Sequence, residues 1–169
     1  SGRPSSSARE RLPQLLGPQD EARGGADRQH LAPRERRGVE HAVQGLRKVK
    51  ASGMIKNIGV STYDEVDALQ IVELGVDYIQ VPYNVFDQRL DKTDFFERAK
   101  RNNVTVFARS PFLQGLLLMK LDRIPSHLAH ARPYMEQFLA ITKRHNVSPL
   151  EASFLFSYYH CRADHIVFG

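Results

Sequence analysis

The chain has 169 residues, a length that suits one ordinary domain. Its formal charge of +5 arises within residues 1–50, where 11 Lys and Arg accompany 6 Asp and Glu, so nucleic acid is not the expected partner of the remainder. No apolar run approaches the roughly 20 residues of a membrane span, and the single Cys161 excludes an intramolecular disulfide. These features predict a cytoplasmic protein with no membrane partner.

Residues 1–38 differ in composition from the rest of the chain. They contain no aromatic residue and no Val, Ile, Met or Lys, which leaves too little apolar surface to offset the entropy of ordering them. We therefore predict a disordered basic leader over residues 1–38, with a helical turn near Leu12 to Leu16. Arg34, Arg36 and Arg37 could contact phosphates or belong to a solvated tail, and the segment could also be an out-of-frame leader.

From Val39 onward the apolar residues alternate between helical and strand patterns. Apolar residues that recur on one helix face predict helices at 39–52, 64–74, 94–101, 133–145 and 148–159. Short apolar runs followed by polar residues predict strands at 55–60, 77–81, 104–108 and 165–168. Strands that are apolar nearly throughout and alternate with helices indicate a parallel sheet covered by helices.

Two architectures fit this pattern, an open doubly wound sheet and a barrel of repeated strand-helix units. In both, the loops that follow the strands form the working face. The polar residues that close the strands or follow them include almost no carboxylates: Ser61, Thr62, Gln80, Tyr83, Asn84, Ser110 and Gln114. Such groups suit an amide or phosphate ligand better than a divalent metal.

Most of these residues also have a structural interpretation. Ser61 and Thr62 could be the N-cap region of the following helix, and Asn84 is best explained as a turn residue. Phe112 fits packing better than ligand contact. Gln80 is the hardest to explain structurally, because it places a polar group within an apolar strand.

Three segments, in this order and spacing, resemble the fifth, sixth and seventh strands of the aldo-keto reductases: GMIKNIGVST, DYIQVPYNVFD and VTVFARSPFLQGLL. A fourth, DHIVFG, resembles the start of the eighth strand. The resemblance covers about residues 39–169 and implies an α/β fold, namely a partial (β/α)8 TIM barrel in which parallel strands alternate with helices. It also implies NADP(H) bound across the carboxyl ends of the strands, and reduction of aldehydes and ketones by hydride transfer.

The resemblance implies cofactor-binding roles for eight residues: Ser61, Thr62, Gln80, Arg109, Ser110, Phe112, Gln114 and Gly115. Ser61 and Gln80 match the residues that hydrogen-bond the nicotinamide carboxamide. Thr62 stands where the family usually has Asn, and Arg109 stands where many members place an aromatic that stacks on the nicotinamide. The last four match the loop along the cofactor pyrophosphate.

The family's proton-donating Tyr and its supporting Lys, Asp and His come from the first four strands, which residues 1–38 do not match. No catalytic residue is therefore assigned to this chain. No metal ligand is assigned either, since His127 and His130 lack a third ligand motif. We expect an incomplete barrel that supplies the nicotinamide- and pyrophosphate-binding half and is inactive alone.

Three functional hypotheses remain. The first is an NADP-dependent oxidoreductase of the aldo-keto reductase type that acts on a small carbonyl compound. It would be present as a fragment, or paired with a second copy or another chain across the open barrel face. The second is a non-catalytic nucleotide-binding or regulatory module, and the third is a basic-tailed interaction protein. The joint presence of Ser61, Gln80 and the SPFLQG loop favours the first two.

Overall fold

The computed structural model describes residues 33–168, with side chains from residue 38 onward. The helices are α1 Pro33–Ala51, α2 Glu65–Ile71, α3 Phe95–Arg101, α4 Arg132–Arg144 and α5 Pro149–His160. The strands are β1 Gly59–Ser61, β2 Tyr78–Pro82, β3 Thr105–Arg109 and β4 His165–Val167. Short 3₁₀ helices cover Val72–Leu74, Arg89–Lys92, Leu113–Leu118, Leu121–Arg123 and Ser126–Ala131. The predicted alternation of helices and strands is therefore confirmed.

The first helix and the first strand differ from the prediction. Helix α1 begins at Pro33, six residues before the predicted start at Val39, and so includes the last residues of the predicted leader. Proline suits this position, because the N–H that it lacks would have no partner in the first turn. The rest of the predicted leader, including the turn near Leu12 to Leu16, lies outside the described residues. Strand β1 has three residues instead of the predicted six.

The four strands form one parallel sheet in the order β1-β2-β3-β4. Ser61 lies opposite Gln80, which in turn lies opposite Phe107. Phe107 lies opposite His165 on β4. An open sheet of parallel strands alternating with helices confirms the predicted fold class, an incomplete (β/α) barrel. Because all strands run in the same direction, the loops that follow them lie along one edge, which we call the rim.

The two faces of the sheet are covered differently. On one face the side chains of β2 and β3 are buried against the helices: Ile79, Val81, Val106 and Ala108. Large apolar side chains fill this core, among them Phe95, Met135, Phe138 and Phe156. The alternate residues lie on the other face, which we call the inner face. Within the described part of the chain these residues are exposed or half-buried: Gly59, Ser61, Tyr78, Gln80, Phe107, His165 and Val167.

Local capping fixes where two of the helices begin. The Asp64 carboxylate accepts a hydrogen bond from the Val66 amide at 2.8 Å, which caps α2. Ser148 and Glu151 form a reciprocal capping box at the start of α5, where a helix is predicted to begin. Across residues 33–168, no helix combines the length and the apolar character needed to span a membrane.

Candidate functional site

Ser61 and Gln80 meet on the inner face at the rim. The Ser61 hydroxyl donates a hydrogen bond to Gln80 Oε1 at 3.1 Å. The neighbouring Thr62 amide donates to the Gln80 carbonyl at 3.0 Å, which ties the end of β1 to β2. Gln80 Nε2 makes no hydrogen bond to another described residue, so a hydrogen-bond donor remains available beside the Ser61 hydroxyl. The structure thus brings together the two residues predicted to bind a carboxamide.

Thr62 follows Ser61 but has a different environment. Its side chain is buried, and its Oγ1 accepts a hydrogen bond from the Asp64 amide at 3.4 Å, just before α2. This contact agrees with the structural interpretation of Thr62 as part of the helix entry. A cofactor contact for this side chain stays a prediction.

The loop after β3 turns sharply. Ser110, Leu113 and Gln114 have φ values of 63°, 47° and 54°, and Gly115 has 87°. Left-handed backbone is uncommon for residues other than glycine, because Cβ then crowds the backbone. Three such residues within one loop therefore require the surrounding structure to hold it in place.

Asn84 supplies part of that support. Its side chain is fully buried; Nδ2 donates to the Ser110 carbonyl at 3.1 Å, and Oδ1 accepts from the Phe86 amide at 3.0 Å. The Asn84 and Asp87 backbones are paired in an isolated bridge, which is the turn that the sequence predicts here. The contact with Ser110 was missed, because no sequence pattern shows which distant carbonyl faces a turn residue.

An open groove lies between this loop and the end of β4. Its volume is about 410 Å³. It is lined by Ser110, Pro111, Phe112, Gln114, Gly115, Leu118, Val167 and Phe168. The four residues predicted to follow the pyrophosphate therefore surround one groove. Leu118 and Phe168 were missed, although both are large apolar side chains that remain exposed at 42% and 59%.

The groove can be tested for its fit to a pyrophosphate. At Gly115 an added Cβ would contact nothing within 4 Å, so the backbone there faces open space. The amides of Leu113 and Gly115 each donate within the loop at 2.9 Å. A phosphate would therefore depend on other donors, of which the Ser110 hydroxyl and the Gln114 amide line the groove. This donor set fits an uncrowded phosphate group.

Tyr83 does not contribute to the rim, contrary to the expectation from its place after β2. Its ring is fully buried and stacks on Phe156, with the ring centres 5.9 Å apart. The hydroxyl donates to Asp91 Oδ2 at 2.7 Å. Burial, reinforced by the nearby Asp91 carboxylate, raises the pKa of Tyr83 far above its ordinary value. Tyr83 is thus a protonated core residue.

Two arginines near the rim share one tyrosine. Arg89 Nη2 donates to the Tyr63 carbonyl at 2.8 Å, and its other nitrogens bind Asp87 and Glu65. The Arg109 guanidinium lies over the Tyr63 ring, 4.1 Å from the ring centre. Arg109 also donates to the Ser110 hydroxyl at 3.2 Å and to the Thr62 carbonyl at 3.4 Å. The Arg109 guanidinium is therefore held at the rim by neutral groups.

The remaining sequence candidates are not assembled into a site. Among residues 33–168, no three His, Cys, Asp or Glu side chains lie close enough together to hold a metal ion. His127 and His130 are exposed on the 3₁₀ helix Ser126–Ala131. Burial raises the pKa of the Cys161 thiol to about 12, so this thiol stays protonated at neutral pH.

Comparison with known families agrees with this geometry. The model of the aldo/keto reductase family matches residues 18–168, a range that begins well before the resemblance seen in the sequence at residue 39. The chain therefore belongs to the aldo/keto reductase family. Members act on small carbonyl compounds and generally use nicotinamide cofactors, which supports an oxidoreductase of the aldo-keto reductase type. No curated protein matches the chain.

Proposed function

We propose that the chain supplies the NADP(H)-binding rim of a carbonyl reductase of the aldo-keto reductase type. The observation that supports this most directly is the hydrogen-bonded pair of Ser61 and Gln80 on the same rim as the groove beside Gly115. When bound, the cofactor supplies a hydride to a carbonyl carbon. The proposed task of this chain is to hold and orient the cofactor.

Ser61 and Gln80 are proposed to orient the nicotinamide. A carboxamide carries both donors and an acceptor, and the free Gln80 Nε2 together with the Ser61 hydroxyl offers matching groups. Two hydrogen bonds to one planar amide would fix which face of the ring points toward the inner face of the sheet.

The groove is proposed to hold the pyrophosphate. Its volume of about 410 Å³ falls within the range of about 300–1,000 Å³ typical of small-molecule sites. Ser110, Gln114 and the open backbone at Gly115 are proposed to contact the phosphates, with Phe112 packed beside them. Thr62 and Arg109 are the remaining residues proposed to contact the cofactor.

We assign no proton donor to this chain and propose that it binds the cofactor without reducing carbonyl compounds alone. The second candidate function is a non-catalytic nucleotide-binding or regulatory module. The rim supports it, because the Ser61–Gln80 pair and the groove beside Gly115 could bind a nucleotide without any proton donor. Turnover with a carbonyl compound would distinguish the two, since a regulatory module shows none with any partner chain.

Titration of the 169-residue chain with NADPH tests the proposed function. We expect a Kd on the order of micromolar by calorimetry, and weaker binding of NADH. The double variant Ser61→Ala, Gln80→Ala should raise the Kd about tenfold, because two hydrogen bonds are lost. The exposed Ser126→Ala is the matched control and should leave it unchanged. Absence of NADPH binding to the unaltered chain would contradict the proposal.

We also propose that a second copy of the chain covers the inner face. Tyr78, Phe107 and His165 form a row of rings across this face, with centres 5.7 Å and 4.8 Å apart. In the described part of the chain β1 pairs with β2 alone and β4 with β3 alone, so each outer strand leaves one edge open. Open edges favour pairing with another chain, and two copies would supply eight strands.

A cytoplasmic location is a further proposal. Its support is the single Cys161, which burial keeps as a protonated thiol and which suits a reducing compartment. Fractionation of cells that express the chain would test it, and recovery in the membrane or secreted fraction would contradict it.

A further inference from the structure

The two arginines that share Tyr63 differ in how their charges are balanced. Arg89 Nε lies 2.7 Å from Asp87 Oδ1, and its Nη1 lies 2.9 Å from Glu65 Oε2. Two carboxylates therefore neutralise Arg89. Arg109 forms no ion pair within residues 33–168; its partners are the Ser110 hydroxyl and the Thr62 carbonyl. Its positive charge is therefore left without a carboxylate partner in this part of the chain.

The position of Arg109 is fixed although its charge is unbalanced. The residue is half-buried at the end of β3, and its guanidinium extends across the sheet to the Thr62 carbonyl after β1. Stacking over the Tyr63 ring, at 4.1 Å from its centre, restrains the plane of the guanidinium. Two hydrogen bonds use two of its five N–H donors, which leaves donors for a ligand.

Arg109 also lies between the two parts of the proposed cofactor site. It is opposite Pro82, two residues beyond Gln80 on β2, and opposite Val167, which lines the groove. Ser110, the next residue, lines the same groove. A ligand that occupies the rim would therefore pass close to the guanidinium.

We propose that Arg109 is an oxyanion-binding residue at the rim, oriented for a carboxylate or a phosphate. A guanidinium binds such groups through paired N–H donors, and these charge-assisted hydrogen bonds are about twice as strong as neutral ones. The inference deepens the proposed function by assigning a ligand chemistry to one of its residues. The oxyanion has two sources that share this chemistry, a phosphate of the cofactor and a carboxylate carried by the carbonyl substrate.

The test compares three variants of the full chain in a buffer of low ionic strength without multivalent anions. Arg109→Gln removes the charge, and Arg109→Lys keeps it but loses the paired donors. Arg101→Gln is the matched control, since Arg101 is exposed in the last turn of α3, next to the amino end of β3 and away from the rim. Circular dichroism and thermal melting establish that each variant folds.

Each variant is titrated with inorganic pyrophosphate, pyruvate, acetone and NADPH. Pyrophosphate stands for the cofactor phosphates, and pyruvate for a carbonyl compound with a carboxylate. Acetone is its uncharged counterpart. We expect Arg109→Gln to raise the Kd of at least one anion about tenfold or more, Arg109→Lys to have an intermediate effect, and Arg101→Gln to have none. Acetone should not distinguish the variants.

The pattern of losses identifies the source of the oxyanion. Weaker binding of pyrophosphate and NADPH assigns Arg109 to the cofactor, whereas weaker binding of pyruvate alone assigns it to the substrate. If the unaltered chain binds an anion through Arg109 but does not bind NADPH, the proposed cofactor function fails and the oxyanion site stands. Failure of the unaltered chain to bind either anion, or equal Kd values for Arg109→Gln and the unaltered chain, would overturn the inference.

Discussion

At the scale of single residues, the rim is positioned by buried polar groups beneath it. Asn84 uses both ends of its amide, one to fix the turn after β2 and the other to hold the loop after β3. The backbone of the neighbouring Tyr83 adds a second link, because its amide donates to the Arg109 carbonyl at 3.0 Å. The consecutive carbonyls of Arg109 and Ser110 thus accept hydrogen bonds from the two residues that follow β2. These bonds explain how Ser110 keeps its left-handed conformation.

Replacing Asn84 by Ala removes one of the two donors to the Ser110 carbonyl, which keeps the Leu113 amide, and leaves the partly buried Phe86 amide without its acceptor. We expect this change to lower the free energy of unfolding by about 2 kcal/mol, because a fully buried side chain is truncated and the hydrogen bonds at both ends of its amide are lost. Urea denaturation followed by circular dichroism measures it. The exposed Asn102→Ala is the control and should change stability much less. Similar effects of the two substitutions would show that Asn84 does not hold the loop.

Asp77 predicts a dependence of stability on pH. The hydrogen bond from Lys50, at 2.7 Å to Oδ2, is the main reason that the pKa of Asp77 is lowered, and the Ile58 amide adds to it. Because folding lowers the pKa of Asp77, its contact with Lys50 stabilises the folded chain at pH values above the unfolded pKa, near 3.8. This stabilisation is lost as the pH falls through the pKa of Asp77 in the folded chain.

Asp77→Asn should therefore reduce the free energy of unfolding by about 1 kcal/mol at pH 7, a modest value because the pair is partly exposed. The difference from the unaltered chain should shrink as the pH falls below the unfolded pKa, near 3.8, and vanish below the pKa of the folded chain, where both proteins carry an uncharged side chain. Denaturation at a series of pH values checks this. Asp122→Asn, an exposed substitution, gives the baseline, and a difference that is constant over the whole pH range would contradict the linkage.

The contacts of a residue could be predicted from the sequence where its partner follows from the register of neighbouring strands. Ser61 ends β1 and lies opposite Gln80 on the neighbouring parallel strand β2, so their proximity follows from the strand register. Tyr83 comes one residue after β2, and the side to which its ring turns depends on the space between α5 and the sheet. The stacking of Tyr83 on Phe156 involves residues far apart in sequence, and no local pattern encodes it.

At the scale of elements, local signals fixed helix ends better than strand ends. Ser148 as N-cap and Pro149 at N1 predict the start of α5 from adjacent residues alone, the structure confirms it, and it adds a capping box with Glu151. Strand β1 is shorter than the apolar run that predicts it. The Ile58 amide donates a hydrogen bond to the Asp77 carboxylate at 2.8 Å, so regular pairing with β2 begins only at Gly59. That contact is tertiary, and the apolar run itself carries no sign of it.

The capping box of α5 gives an element-level prediction. Ser148→Ala removes the oxygen that accepts from the Glu151 amide at 3.2 Å and should lower the free energy of unfolding by about 1 kcal/mol. Ser148→Asp should retain most of the stability, since Asp is also a good N-cap. Thermal and urea denaturation measure both variants. Equal losses for Ala and Asp would point to a role of Ser148 other than capping.

At the scale of the whole molecule, the inner face combines apolar rings with open strand edges. Tyr78 and Val167 remain 36% and 40% exposed there. Gly59 on β1 lies directly beside Tyr78 on β2. A side chain at position 59 would not fit, because its Cβ would lie 2.9 Å from the Tyr78 Cβ. The Tyr78 ring packs edge-on against Phe107 on the other neighbouring strand, and its hydroxyl accepts a hydrogen bond from Asn57 at 2.8 Å.

If a second copy covers the inner face, light scattering at micromolar concentration should give twice the chain mass of 19.2 kDa. Tyr78→Glu places a charge on that face and should shift the mass toward the monomer. Tyr158→Glu alters a tyrosine that is 60% exposed on α5 and should leave the mass unchanged. A monomeric mass for the unaltered chain would rule out self-association under these conditions.

The strand order also has a consequence for how the sheet is assembled in time. Contacts between β1 and β2 join residues 19 apart, whereas the link from β3 to the residue before β4 joins residues 58 apart. Closing the longer loop costs about 1 kcal/mol more in chain entropy, and β4 has only three residues with which to offset it. We therefore expect β4 to dock onto the sheet after β2 and β3, and its amides to exchange with solvent sooner than those of β2. The groove should then open most easily along the wall formed by Val167 and Phe168.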